Sequence, residues 1–301
     1  MEQYLQKTLK SAISCVGVGL HSGLKVKMRF HPAEPNTGIV FRRTDDEAKN
    51  SLIPAHHDFV VDTRLCTCVG LTNGIRVSTI EHLMAAIHAK GINNMIIDVD
   101  APEVAVMDGS AAPFLFLFDC AGTKTQKAPL QALRILKKVS VKDGEKEASL
   151  CPAPSGLHMH FEIDFPSKAI GVQKADLDMN ATNFKNMFSR ARTFGFLKDI
   201  EALRAMGLAR GGSMDNAVLV DGDAVLNKEG LRYADEFVRH KMLDAVGDLY
   251  MAGKPIIGGF TGVKSGHTQT NALLSALFAD KDAFETVDLT AFHADDVARS
   301  A

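Results

Sequence analysis

The sequence predicts an α+β protein built in two halves, and three observations carry that reading. Stretches that alternate polar and apolar residues, the mark of half-buried strands, dominate the first hundred residues and return after residue 130. Each half interrupts the alternation with segments of three- to four-residue apolar period, around 78–87 and again at 236–250. The order of elements also repeats. Strands, a histidine-bearing helix, a glycine and an apolar strand run from Glu81-His82 to Gly91 and Ile92, and again from His240 to Gly253 and Ile256.

The elements follow in order. Gly17-Val18-Gly19-Leu20-His21-Ser22-Gly23 leads into an alternating strand from Leu24 to Phe30, with Lys25, Lys27 and Arg29 on one face. Its glycines do not make a dinucleotide loop, because a strand and not a helix follows. Strands at 37–43, 66–69 and 75–77 continue the sheet, and Asn73-Gly74 makes a hairpin turn between the last two. At Ser78 the period changes. Ser78 reads as a helix N-cap, Glu81 three residues on completes a capping box, and Gly91 ends the helix. A strand at 92–99, the run Met107-Asp108-Gly109-Ser110-Ala111 and an apolar helix at 113–120 close the first half.

Residues 123–129 are polar without an apolar period and read as a linker, which divides the chain near residue 126 into domains 1–126 and 127–301. Beyond it, 133–141 restarts a strand. The strictly alternating 157–165 puts His158, His160, Glu162 and Asp164 on a wet face. Helices at 183–188 and 199–206 flank a strand or loop at 189–196, and a glycine-punctuated strand at 255–263 precedes Lys264-Ser265-Gly266-His267.

Composition excludes several classes. With 301 residues and 46% hydrophobic content the chain buries a sizeable core. A net charge of -2 offers no basic field for nucleic acid. Five scattered cysteines, an odd number, argue against a disulfide framework and for a reducing compartment. No apolar run is long enough to span a bilayer, and the N-terminus lacks a signal sequence, so the expectation is a cytoplasmic protein.

The chemistry concentrates in 236–250. On that helix His240, Asp244 and Asp248 lie four residues apart and share a face. A histidine and a carboxylate at this spacing can both reach one zinc ion, but a lone H-x-x-x-D is far more often a solvated, ion-paired face. A third ligand must come from elsewhere. His82 is available beside Glu81, although a capping glutamate and a surface histidine explain that pair as well; His88 reads as exposed. Cys66-x-Cys68 has no second cysteine pair and reads as buried strand cysteines, and His56-His57-Asp58 as loop surface.

Taken together, Gly17–Gly23, Ser78–Ala86, Met107–Ala111, Ser189–Phe196, Gly211-Gly212-Ser213, Leu226–Arg232, His240–Asp248 and Ser265-Gly266-His267 resemble, in order and nearly end to end, the UDP-3-O-acyl-N-acetylglucosamine deacetylase family of Gram-negative lipid A synthesis. The resemblance implies two similar domains, each a sheet with two helices, stacked as a β-α-α-β sandwich. It implies one zinc per chain on His82, His240 and Asp244, with Glu81 as general base and His267 as second acid/base group. Asp248 would orient His267 and Thr193 would steady the oxyanion. Phe165 and Phe194 would lie along the uracil and sugar, and Lys241 and Lys264 near the diphosphate. A small βαβ-like insert over the acyl passage would fall at 166–179. The substrate would be a UDP-sugar bearing an acyl chain, handled by a monomer without nucleic acid or a transmembrane segment. Arg210, expected at the surface, and Thr270 depart from the family pattern and bear on the acyl chain, not the reaction. Two other readings compete. A zinc peptidase is weakened by the absence of H-E-x-x-H, and a binding protein braced by a structural zinc would close the ion with four protein ligands.

Overall fold

The computed structural model describes residues 4–46 and 51–292. The first half contributes β1 (Leu5–Leu9), β2 (Ile13–Val18), β3 (Lys25–Pro32), β4 (Ile39–Arg43), β5 (Ser51–Pro54), β6 (Val60–Asp62), β7 (Cys68–Gly70), β8 (Arg76–Val77), α1 (Glu81–Ala89), β9 (Met95–Val99), α2 (Ala112–Ala121) and β10 (Thr123–Pro129). The second contributes β11 (Gln131–Ile135), β12 (Val139–Asp143), β13 (Lys146–Cys151), β14 (Leu157–Asp164), β15 (Val172–Asp178), α3 (Ala181–Asn183, running into a π-helical turn at Phe184–Phe188) and β16 (Phe194–Phe196). It continues with α4 (Leu197–Ala205), β17 (Val218–Asp221), β18 (Ala224–Val225), α5 (Glu236–Leu249), β19 (Ile256–Val263), α6 (His267–Ala279) and β20 (Phe284–Asp288).

A five-stranded sheet in the order β2-β3-β9-β4-β5 and a seven-stranded sheet built around β19 form the outer layers. Each is one-sided. On β3, Val26, Met28 and Phe30 are buried while Lys25, Lys27 and Arg29 face out, and β14 alternates likewise. Phe30 meets Phe114 and Phe118 of α2 edge-on, so the first sheet rests on α1 and α2. The second sheet rests on α5 and α6. The two helix layers face each other, which makes the β-α-α-β sandwich. A helix at the centre of such a stack is buried all round, and α5 exposes almost nothing.

The central contact is between α1 and α5. A Cβ at Gly247 would drive into the carbonyl oxygen of Glu81 and the backbone of Ala85, so only glycine lets the two backbones cross this closely. That crossing sets the first turn of α1, with Glu81 and His82, beside the row His240, Asp244 and Asp248.

Several expectations change. The stretch 123–129 is no linker: β10 pairs antiparallel with β1. Its inward residues include Gln126, whose amide donates to Ala33 O and accepts from Asn94 Nδ2, each at 2.8 Å, so a polar strand is buried through hydrogen bonds and shows no apolar period. Residues 133–141 form two strands, β11 and β12, not one. The βαβ-like unit is not at 166–179, where a loop leads into β15, an edge strand paired with β14. It lies at 194–221, where β16 and β17 run parallel and α4 makes the crossover. The loop between α4 and β17 leans on the glycine-rich segment of the first half, with Gly211 N–H donating to Leu20 O and Arg210 N–H to His21 O. Arg210 itself is exposed.

Candidate active site

Ser78 does not cap α1. Ile80 occupies the cap, Thr79 takes a left-handed φ of 59°, and the Glu81 carboxylate turns inward. There its Oε2 accepts the backbone N–H of Thr67 at 3.0 Å. The expected capping box is lost because the glutamate is wanted inside. Glu103 holds this kink to the glycine-rich segment, accepting from Thr79 Oγ1 at 2.7 Å and from the backbone N–H groups of His21 and Ser22.

His82, His240 and Asp244 converge, all buried, with ligand atoms within 4.8 Å of one another. Asp244 Oδ1 lies 3.5 Å from His82 Nε2 and 3.3 Å from His240 Nε2, yet makes no hydrogen bond. A buried carboxylate oxygen without a donor, faced by two imidazole nitrogens, is the environment of a cation site. His240 Nδ1–H donates to Ala191 O at 3.0 Å, which leaves the Nε2 lone pair turned toward Asp244. Lys241 Nζ donates to Asp244 Oδ2 at 2.7 Å.

The electrostatics follow from this packing. Burial drives the His240 imidazole down to about 4, so it is neutral at pH 7 with a lone pair free on Nε2. Burial also opposes charge on Asp244, but His240 and the Lys241 ammonium hold its carboxyl well below the usual range. Glu81 is raised, chiefly by burial, with His267 and His82 opposing, which suits a carboxylate that must accept a proton. His267 is raised as well, which for an imidazole favours the charged form. Burial works against its charge, but Asp248, bonded to Nδ1 at 2.8 Å, and then Glu81 and Asp244 push it up to about 9. Its Nε2 lies 4.0 Å from Glu81 Oε1 and 4.0 Å from Asp244 Oδ2.

A cavity of about 790 Å³ opens over this cluster and is lined by every site residue that the resemblance implies except Asp248, which lies behind His267. Thr193 reaches it from a loop fixed at both ends, its N–H on Gly109 O and its carbonyl accepting from Val218. Gly109, at φ 81°, must lack a Cβ because Asn216 O occupies that space. Phe165 and Phe194 meet edge-on at 5.6 Å along one wall. Lys264 stands at the rim, its Nζ shared by Asp164 and Glu145. Lys241, expected near a diphosphate, lines the cavity with its ammonium held on Asp244.

Thr67 went unseen in the sequence. Its N–H binds Glu81, its Oγ1 donates to Asp248 Oδ1 at 2.6 Å, and the same oxygen lies 3.3 Å from His267 Nδ1. It joins Glu81, Asp248 and His267 through one buried residue, and a lone threonine between two cysteines carries no sequence signal. Arg192 is the second such residue. Fully buried, it binds Glu236, Glu229 and the Gly230 carbonyl, and so fixes the Ala191 carbonyl that orients His240. His88, expected at the surface, instead stacks flat on Tyr250 at 4.5 Å with Nδ1 buried and unbonded.

A model of the family described as UDP-3-O-acyl N-acetylglycosamine deacetylase, LpxC, matches residues 6–279. Proteins named UDP-3-O-acyl-N-acetylglucosamine deacetylase from Tolumonas auensis and Pasteurella multocida are each 51% identical to the chain over 284 residues, 94% of this chain and 92% of theirs. The protein of that name from Acidithiobacillus ferrooxidans is 50% identical over 285 residues, 94% of this chain and 93% of its own.

Proposed function

Because the chain belongs to the UDP-3-O-acyl-N-acetylglucosamine deacetylase family, a family of metalloenzymes, we propose that His82, His240 and Asp244 hold a single zinc ion and that Glu81 and His267 move the protons. The reaction is hydrolysis of the N-acetyl group of the UDP-sugar, releasing acetate and a free amine, a step of lipid A biosynthesis. The single observation that carries the site assignment is the unbonded Asp244 Oδ1 between two imidazoles, at the floor of a cavity that also holds Glu81 and His267.

Zinc bound there supplies Lewis acidity and lowers the pKa of water to about 7. Glu81, kept basic by burial and steered by the Thr67 N–H, takes the proton of the attacking water on Oε1. The oxyanion that forms on the acetamide carbonyl receives the Thr193 hydroxyl. His267, charged at pH 7 and fixed by Asp248, presents Nε2–H to the cavity and protonates the departing amine. Phe165 and Phe194 offer flat apolar surface to the nucleoside and sugar, and Lys264, with Lys241 deeper in, offers positive charge to the diphosphate. The βαβ unit at 194–221 takes the place proposed from sequence for 166–179 as the cover of the acyl chain. We divide the chain functionally near residue 126 and expect a cytoplasmic monomer, since one chain holds every group named.

Glu81→Gln tests the division of labour. It keeps size and hydrogen bonding, so zinc content should be unchanged while turnover falls about 10²- to 10⁴-fold. Wild-type turnover in this variant would assign the proton to another group.

A further inference from the structure

A second group of metal-ligand side chains lies outside the cavity, on the short turn His57–Phe59 and the residue before it. His56 Nδ1 lies 3.2 Å from Asp58 Oδ2, and His57 Nδ1 lies 3.5 Å from Asp58 Oδ1. Zinc–ligand bonds of about 2.0–2.2 Å place the ligand atoms of a tetrahedral ion about 3.4 Å apart, and each imidazole already stands at that spacing from one oxygen of Asp58, His56 from Oδ2 and His57 from Oδ1. With one ligand atom from each residue, all three fall within 4.8 Å of one another, so a modest inward turn of the exposed carboxylate closes the set on one ion. The competing use of His56 Nδ1 is weak: it accepts the Asp58 N–H at 3.5 Å, the outer limit of a hydrogen bond.

The set is also partly preorganised. The His57 side chain is 9% exposed, and its ring stacks on Phe278 of α6 at 4.2 Å and 9°. Asp58 is 67% exposed and free to swing onto an incoming ion. All three residues line a cavity of about 570 Å³ whose far side is α6, with Lys281 also on its wall. Asn271 lines it too, and its Oδ1 is buried without a hydrogen bond, an acceptor lacking a donor at the same place. We propose that His56, His57 and Asp58 form a second, exchangeable metal site that takes a divalent cation of the zinc, nickel and copper class. Two imidazoles and one carboxylate favour those ions over magnesium or calcium, and three protein ligands leave positions open to water. A cation here sits on the 56–58 turn of the first half and faces α6, the helix that begins at His267. The proposal stands apart from the deacetylase reading and uses none of its residues.

The test starts from protein carrying one equivalent of zinc, dialysed against rising zinc with bound metal counted directly. Wild type should take up a second equivalent, with Tm rising as that equivalent binds. His57→Phe keeps the stack on Phe278 but removes the nitrogens, and His56→Gln removes the other imidazole. Each should stop at one equivalent while the one-zinc form keeps the wild-type Tm. His82→Ala should lose the buried equivalent and retain the surface one. Wild type that saturates at one equivalent, or a second equivalent that survives His56→Gln and His57→Phe, overturns the assignment.

Discussion

Among the described residues two histidines and an aspartate meet twice, and the two meetings differ in how the fold brings them about. His56, His57 and Asp58 are neighbours in sequence on a surface turn, with Asp58 largely in water. His82, His240 and Asp244 come from two helices of different halves and are buried together, with an ammonium on one carboxylate oxygen and nothing on the other. The same donors are solvated in one place and desolvated in the other. Desolvation makes the inner cluster costly to leave incomplete and couples it to Glu81 and His267, whereas the outer one has water to replace any ligand it lacks.

Removing the carboxylate from each cluster should give the widest contrast. Asp244→Ala strands the buried Lys241 ammonium and should cost about 3–5 kcal/mol in denaturant unfolding, with loss of zinc. Asp58→Ala, at the surface, should stay within about 0.5 kcal/mol in the absence of added metal. Equal costs would break the comparison.

His88 sharpens it, as a half-buried imidazole with its Nδ1 fully covered and no carboxylate acting on it. His267, which has Asp248, Glu81 and Asp244 around it, rises to about 9, whereas burial takes His88 down to about 4. A histidine lowered in the fold is protonated first in the unfolded chain. Stability should therefore fall as pH drops through 6.5 and level off below about 4, by up to about 3 kcal/mol from this residue. Unfolding of wild type and His88→Phe across that window measures it. The variant should show a shallower acid slope, and parallel slopes would mean that His88 is protonated in the fold.

Gly247→Ala probes the helix crossing on which the inner cluster depends. The added methyl meets the Glu81 carbonyl, so the helices must part, at about 1–3 kcal/mol of stability and with weaker zinc binding. Zinc binding at 56–58 should not change. A variant with wild-type stability and zinc affinity would show that the crossing tolerates more space than the geometry allows.

What could be read from the sequence follows the same division. The period of α5 and the row His240, Asp244, Asp248 are local facts, legible along one helix. The partnership of His82 with His240 is not local, and only the order of motifs along the chain suggested it. Glu81 was misread as a cap because S-x-x-E is a local pattern, while Thr67, which draws the carboxylate inward, lies on another segment. The polar strand β10 was misread as a linker because its buried glutamine is satisfied by Asn94 and Ala33, far away in sequence. The crossover unit falls elsewhere because β15, an edge strand whose inward positions Gln173 and Ala175 are only half-buried, carries too little apolar signal to be told from an insert.

The central claim is that one ion on His82, His240 and Asp244 makes the deacetylase, and one titration tests it directly. Metal-free protein is given zinc stepwise with UDP-3-O-acyl-N-acetylglucosamine present, and bound zinc and released acetate are measured in the same samples. Acetate release should rise in proportion to the first equivalent, gain nothing from further zinc, and be absent from Asp244→Ala throughout. Full acetate release by metal-free protein, or by Asp244→Ala at any zinc level, would contradict it.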